Sequence, residues 1–593
     1  MNDIIHRVKG IEKWLKDNNL DALIIPHDDE YLSEYIPPQN ERLSWVTGFT
    51  GSAGIAVISR DSAAIFVDGR YTVQVKQQVD SSIYKIQHLK DNPFLSWIKN
   101  NLPSGTHLGY DPRLHRVNWV KAAEKELGGK IKMIPLKENP VDLFWDDRPT
   151  GNISDKALLL NESYTGKASE IKRLELGRVI KNNQCDASFL TQLDSIAWLL
   201  NIRGNDVPCN PVVLCHGLLH SDGSFDLFIN KNKIPAGFDD HVGPNVKIIS
   251  PDQMQQRLTQ FSGKMIQLDA NCSNAWSRDL ILNSGALIVE KEDPCTLPKA
   301  CKNNVEIQGM KNCHIRDAVA VCNFLAWMDE GIAAGNLLDE GTLSNKLDAF
   351  RSEQTSFKGI SFGTISAAGK NAAMCHYSHM NQEAPSNLEM DSVYLVDSGG
   401  QYLDGTTDIT RTVAVGSPND FMKKTFTLVL KGHISLANAQ FPEGIAGQHL
   451  DTLARQYLWH HGYDFDHGTG HGVGAYLNVH EGPHRIGKGS NNVPLQVGMI
   501  VSNEPGYYKE DEFGIRCENL ILIKEVNRVD GNKILGFENL TFVPFDTRLM
   551  DMSLMSNIEK DWINSYHNEV LEKVGPHLNN PVLEWLKHSV LPI

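Results

Sequence analysis

Uncharged apolar stretches are short throughout this chain. None approaches the roughly 18–20 residues needed to span a bilayer, so no membrane partner is expected. Basic residues are outnumbered, 57 Lys and Arg against 72 Asp and Glu, for a formal net charge of −15. That balance, with no concentrated basic stripe, excludes a nucleic-acid binder on electrostatic grounds. The ten cysteines do not begin until Cys185, and none has the paired spacing of a zinc ribbon or a redox C-x-x-C. They read as reduced thiols of a cytoplasmic protein. The N-terminal stretch carries charges throughout and lacks the apolar core of a secretory signal. Its apolar residues Ile4, Ile5, Val8, Ile11, Trp14 and Leu15 instead suit an amphipathic helix packed on a domain. No serine sits in a convincing nucleophile elbow.

What the chain does have is length. With 593 residues it exceeds one ordinary domain, and three or four are expected. Turn formers between Asp146 and Gly151, and again between Asp293 and Pro298, mark boundaries. They give domains over 1–150, 151–298 and 299–593, the last ending in a helical extension that holds Trp562, Tyr566, Leu571, Leu583 and Trp585. The first two domains carry a weak repeat. The series Asp21 to Ile25, Trp45 to Gly48 and Ala64 to Gly69 has a degenerate counterpart in Asp186 to Leu190, Trp198 to Gly204 and Asp226 to Asn230. Strand and helix signals alternate in both, which predicts α/β domains. A long helix is predicted from about Val305 to Ile332, where Ile307, Met310, His314, Ala318, Val321 and Phe324 recur at helix spacing. There His314 reads as a packed or surface histidine.

Five residues in the last third carry the chemistry: Asp397, Asp408, His471, Glu504 and Glu518. Val393 to Asp397 alternates like a strand, and so do Asp408 to Val413, Met499 to Glu504 and Gly514 to Glu518. Asp404-Gly405 is a hairpin signal that would set Asp397 and Asp408 on adjacent strands facing one way. Glycines from Gly468 to Gly474 let backbone pass close to something around His471. Uncompensated charge in apolar or glycine-rich surroundings is costly, so a bound cation cluster is the natural explanation. Four carboxylates match the charge of two divalent ions, and an oxygen-rich set favours hard ions such as manganese. A water or hydroxide bridging two such ions is a nucleophile near neutral pH.

The motifs VDSGGQYLDGTTDITRT (396–412), HGTGHGVG (467–474), NEPGYY (503–508) and GIRCEN (514–519) resemble those of the pita-bread metallopeptidases. Within that superfamily they are most similar to the aminopeptidase P (X-prolyl aminopeptidase) family in its long three-domain cytosolic form. Trp45 to Gly54, Val67 to Tyr71 and Trp198 to Gly204 extend the resemblance over the first two domains. It implies two creatinase-like N-terminal α/β domains followed by an α+β pita-bread catalytic domain. It also implies a dinuclear centre, usually manganese, held by Asp397, Asp408, His471, Glu504 and Glu518, with Asp408 and Glu518 bridging. His376, His467 and His480 match positions around the scissile bond, Glu504 a proton shuttle, and Tyr508 and Arg516 positions beside the metals. The segment from His376 to Asp397 is one residue longer than the family pattern, which makes His379 a rival. Tyr377 favours His376. The implied substrates are short peptides with an N-terminal X-Pro, and the implied assembly is a homodimer.

Two patterns mislead. His480-Glu481-Gly482-Pro483-His484 spells H-E-x-x-H, but that zinc motif needs a helix, and Gly-Pro at its centre breaks one. The glycines at 468–474 lack dinucleotide-loop spacing. A prolidase-like dipeptidase shares the five ligands but not two extra N-terminal domains. A creatinase-like hydrolase would lack the full ligand set. A binding protein on a retired peptidase fold would have lost ligands and gained an acidic tail, where this chain reads Val590-Leu-Pro-Ile.

Overall fold

The computed structural model describes every residue except Met1, Ile153 and Glu383, and the chain divides into two compact units. One comprises Met1–Glu162 and Lys167–Thr296, the other Ser163–Gly166 and Leu297–Ile593. Among the described residues no helix is long and apolar enough to cross a membrane.

The first unit contains two six-stranded sheets. Strands β1 (Ala22–Pro26), β2 (Ile55–Ser59), β3 (Ala63–Val67), β4 (Tyr84–His88), β5 (His107–Tyr110) and β6 (Lys132–Pro135) lie in the order β4-β3-β2-β1-β5-β6. Strands β7 (Ala187–Leu190), β8 (His216–His220), β9 (Phe225–Phe228), β10 (Val246–Ile249), β11 (Met265–Leu268) and β12 (Leu287–Glu290) lie in the order β10-β9-β8-β7-β11-β12. Strand directions agree as well. In each sheet the three strands that follow one another centrally are antiparallel, and the remaining neighbours are parallel. The weak sequence repeat therefore corresponds to a repeated topology. In the first sheet β1 and β3 are buried along their whole length and read as continuous apolar runs. Leu23 and Ile25 join a core closed by Val8, Ile11 and Leu15 of the helix Asn2–Asp17, while Ala22 and Ile24 face a second core with Phe94, Ile98 and Val120.

In the second unit the helix Asn304–Ala333 begins at a capping box in which Asn303 and Glu306 satisfy each other's backbone N–H groups. His314 is buried on it, with Nδ1 donating to the Met310 carbonyl at 2.7 Å. Strands β13 (Ile365–Ala368), β14 (Ser392–Ser398) and β15 (Ile409–Val415) form an antiparallel sheet. The β14–β15 pairing runs unbroken from Ser392↔Val415 to Ser398↔Ile409. Between them the expected Asp404-Gly405 turn is a small hairpin of its own, Gly400–Tyr402 with Gly405–Thr406, set apart from the main pair. A curved six-stranded sheet includes β16 (Gly470–Gly472), β17 (Glu481–Ile486), β18 (Ile500–Asn503) and, after the two-stranded pair β19 (Gly506–Lys509) and β20 (Phe513–Arg516), β21 (Asn519–Val529). The helices Asn557–Val574 and Asn580–Ser589 bury Ile563, Tyr566, Val570, Val574 and Leu586 in this unit's own core.

The helices Asp420–Ala437 and Asp451–Trp459 touch where Gly432 lies under the Ala454 carbonyl; a Cβ at Gly432 would come within 2.0 Å of that oxygen. Gly432→Ala is therefore expected to cost about 1–3 kcal/mol of stability. In urea unfolding this appears as a lower midpoint at unchanged slope.

Candidate metal centre

The residues singled out in the sequence arrive at one place from four chain segments. Asp397 on β14 pairs across to Thr410 on β15, and Asp408 lies two residues before Thr410, hence on the same face. Glu504 follows β18, which Pro505 ends, and Glu518 sits in the link between β20 and β21. Glu518 is drawn to β15 because its backbone N–H donates to the Thr410 carbonyl at 3.2 Å. At its centre the glycine run around His471 forms the short strand β16. Its glycines are steric necessities: a Cβ at Gly470 would meet the Ser502 carbonyl at 2.0 Å, and one at Gly472 the Glu481 carbonyl at 2.2 Å.

Metal-capable atoms of Asp397, Asp408 and Glu518 lie within 4.8 Å of one another, as do those of His471, Glu504 and Glu518. His471 Nε2 is 3.5 Å from both Asp408 Oδ2 and Glu504 Oε1. Its other nitrogen, Nδ1, donates to the Gly472 carbonyl at 3.0 Å, which fixes the tautomer and leaves Nε2 facing the carboxylates. The ring of His480 is 4.3 Å from that of His471, and a nitrogen of His480 lies within 4.8 Å of donor atoms on Asp408 and His471.

In Asp397 and Glu518 one carboxylate oxygen is held by a neighbouring donor. Arg516 donates to Asp397 Oδ2 at 2.5 Å, and Thr410 Oγ1 donates to Glu518 Oε2 at 2.7 Å. Asp397 Oδ1 and Glu518 Oε1 are buried with no hydrogen-bond partner among the described residues. Burial raises the carboxyl pKa of Asp397 and Glu504, and burial together with the neighbouring carboxylates raises that of Glu518 further. For His471 burial opposes the charge, but Asp408 and Glu504 outweigh it and push the pKa up to about 9. Orphaned buried oxygens, four carboxylates and an imidazole with a free nitrogen fit a pair of divalent cations.

Arg516 organises the rest. Besides Asp397 it donates to Thr410 Oγ1 at 3.1 Å, the Tyr508 hydroxyl at 2.6 Å and the Cys375 carbonyl at 3.3 Å. Since Arg516 occupies the Tyr508 oxygen as donor, the Tyr508 hydroxyl donates to His467 Nε2 at 2.8 Å, and His467 Nδ1 donates to the Gly468 carbonyl at 2.7 Å. The bond to the Cys375 carbonyl ties the backbone next to His376 to Arg516. Tyr377 anchors the segment from its other flank by donating to the buried Glu340 carboxylate at 2.7 Å. His379 is buried against the helix Glu340–Ser352, 3.6 Å from the point a Cβ on Gly341 would occupy. His376, His467, His471, His480, Glu504 and Tyr508 are half-buried, whereas Asp397, Asp408, Glu518 and Arg516 are buried.

Sequence reading missed several participants. Thr410 bonds both Glu518 and Arg516, and its two-residue spacing from Asp408 is a signal that was there to be read. Ser502 Oγ accepts from the His471 N–H at 2.9 Å and donates to Glu504 Oε1 at 3.3 Å. Arg411, fully buried, donates to the Glu518 carbonyl at 2.5 Å, the Val543 carbonyl at 2.7 Å and the Tyr566 hydroxyl at 3.0 Å. The H-E-x-x-H stretch lies on strand β17, where Glu481 is buried between Lys299, at 3.0 Å, and Lys302.

Comparison with known proteins places this geometry. The model of metallopeptidase family M24 matches residues 308–525, its C-terminal region residues 533–593, and the creatinase/prolidase N-terminal domain matches twice, over 7–143 and 147–306. A probable Xaa-Pro aminopeptidase P of Pyrenophora teres f. teres is 38% identical over all of this chain and 93% of its own length. One from Talaromyces marneffei is 39% identical over all of this chain and 92% of its own. An X-prolyl aminopeptidase from Caenorhabditis elegans, a cytosolic enzyme with a di-nuclear active site, superposes with a TM-score of 0.95 at 33% identity over the full length of both chains. An Xaa-Pro dipeptidase from Bacillus anthracis shares the fold over 64% of this chain, with a TM-score of 0.51 and 23% identity.

The elevated pKa values have a consequence for metal-free protein. A group whose pKa is raised on folding stabilises the fold fully below its unfolded value and loses that contribution as pH rises through the folded value. For His471 that window runs from 6.5 to about 9, and the carboxylates shift in the same direction. Chelated protein should therefore melt at progressively lower temperature from pH 6.5 to 9. Refilling the site with a divalent metal should flatten that slope in differential scanning calorimetry.

Proposed function

Because the chain belongs to metallopeptidase family M24, we propose that it is an X-prolyl aminopeptidase. It releases the N-terminal residue from short peptides whose second residue is proline, by hydrolysis for which two metal ions held at the cluster would supply the activated water. The observation that carries the chemistry is the cluster of Asp397, Asp408, His471, Glu504 and Glu518, with two buried carboxylate oxygens unpartnered among the described residues. The observation that carries the substrate is full-length similarity to proteins of that name, against a dipeptidase likeness covering 64% of the chain. We assign the metal ligands to those five residues and favour manganese from the oxygen-rich donor set. Two divalent ions there would supply Lewis acidity and a nucleophilic water near neutral pH.

The protein's own residues do the rest. Glu504 is half-buried, with Oε1 bonded to Ser502, and burial raises its proton affinity. It takes the proton of the attacking water and delivers it to the leaving nitrogen. That nitrogen is a tertiary amide before cleavage, so the site need not accept a hydrogen from it. His376 and His480 flank the scissile carbonyl, donate to the developing oxyanion and wall the proline ring. His467, Tyr508 and Arg516 form a hydrogen-bonded line that ends on Asp397 and keeps its carboxylate aimed. The domain reading of 1–150, 151–298 and 299–593 follows the two sheets and the M24 match. The cytoplasmic and homodimeric readings extend from the resemblance.

Chelated and manganese-reconstituted protein should be compared on Arg-Pro-Pro, Arg-Ala-Pro and Arg-Pro, following free arginine. Metal-dependent release from Arg-Pro-Pro alone is expected. Release from Arg-Pro instead would make it a dipeptidase, and release from none would end the reading. Glu504→Gln with two ions bound and full turnover would remove the shuttle.

A further inference from the structure

Next to the proposed site, but outside the ligand set, lies a buried ion pair aimed at a single segment. Asp451 and Arg455 stand one turn apart on the helix Asp451–Trp459, and both are buried. Arg455 Nε donates to Asp451 Oδ2 at 2.7 Å. The remaining guanidinium nitrogens converge on residues 464–467: NH1 donates to Asp464 Oδ1 at 2.8 Å and the Phe465 carbonyl at 2.6 Å, and NH2 to the His467 carbonyl at 2.8 Å. The guanidinium also lies 3.7 Å over the Phe465 ring, whose centroid is 4.8 Å from that of His467. The other oxygen of Asp451 accepts from Thr469 Oγ1 at 2.5 Å, and the Thr469 carbonyl in turn accepts from the Glu504 N–H at 2.8 Å. The pair thus grips the chain on both sides of His467.

The local sequence makes that grip necessary. Gly470 is required by the crowding already described. Gly468, by contrast, meets nothing closer than 3.4 Å at its Cβ position, so its backbone freedom is not removed by packing. The His467 ring bonds the carbonyl of that same glycine, so its direction depends on what holds this stretch of backbone. The bond from Arg455 to the His467 carbonyl and the contact of its ring with Phe465 set that direction, in which Nε2 receives the Tyr508 hydroxyl.

We propose that Asp451 and Arg455 are positioning residues for His467: they hold its imidazole on Tyr508 and so complete the line to Arg516 and Asp397. This rests on the aminopeptidase reading for its kinetic consequence, not for its geometry. Lysine cannot replace the arginine, because it has neither the planar fork nor the stacking face, although it keeps the charge.

The test is a double-mutant cycle on the manganese-loaded, full-length enzyme with Arg-Pro-Pro, read by single turnover so that slow variants remain measurable. Arg455→Lys should lower kcat by about 10- to 100-fold, the effect of a misplaced catalytic group, with KM changed far less. In a His467→Ala background the same substitution should cost less than about twofold, since the group it positions is gone. Equal losses in both backgrounds, or no loss in the first, would overturn the proposal and leave the pair a purely structural one. Phe465→Leu, which removes the stack but no charge, should behave the same way and serves if Arg455→Lys does not fold. A crystal structure of either variant should show the His467 ring withdrawn from the Tyr508 hydroxyl; an unmoved ring overturns the proposal without reference to activity. Wild-type enzyme inert toward Arg-Pro-Pro would defeat the aminopeptidase reading instead, and the ring position would still decide this one.

Discussion

Mutual repulsion among Asp397, Asp408, Glu504 and Glu518 is the constraint on which the second unit is built. Like charges at these separations, partly removed from water, cannot all ionise without compensation. Arg516 reaches in among them and pairs with Asp397, while His471 faces Asp408 and Glu504. For Asp397 and Glu518 the architecture answers by splitting the carboxylate into a held oxygen and a spare one. Arg516 holds Asp397, and Thr410 holds Glu518. The held oxygen fixes direction, and the spare one is the valence that a cation satisfies. This is the arrangement expected where ligands are set before the ion arrives.

Two kinds of backbone supply the parts. Paired strands carry the buried floor, because an unbroken ladder such as β14 with β15 fixes side-chain direction to a fraction of a turn. The half-buried rim of His376, His467 and His480 comes from less regular segments, and each is tied down by neighbours rather than by its own secondary structure. Cys375 and Tyr377 secure His376 through Arg516 and Glu340. His480 adjoins Glu481, locked between Lys299 and Lys302. Rigid floor and tethered rim together fix the carboxylates of the floor while the histidines of the rim retain some adjustment.

Legibility in the sequence followed the same division. Alternation around Asp397, Asp408, Glu504 and Glu518 was readable because a strand shows its period in a few residues. The rejection of H-E-x-x-H held because Gly-Pro chemistry is local, and the stretch is a strand. The Asp404-Gly405 turn was also readable, but not that it would be a side excursion while β14 and β15 paired across it; that depends on long-range pairing. Likewise the glycine run was legible as close approach, yet the strand at its centre required Ser502 and Glu481 on either side. Buried arginines were the least legible. Nothing local distinguishes Arg411 or Arg455 from a surface charge, since their acceptors are mostly carbonyls fixed only by the finished fold.

Arg411 carries one more implication, in the order in which the chain is made. Its guanidinium ties the Glu518 carbonyl to the Tyr566 hydroxyl on the helix Asn557–Val574. During synthesis the ligand residues leave the ribosome well before that helix does. Until Tyr566 arrives, a buried cation lacks one of its acceptors, and the backbone bearing Glu518 lacks its outer brace. The centre is thus completed by an element translated after Glu518, which separates the making of a peptidase from the start of its activity.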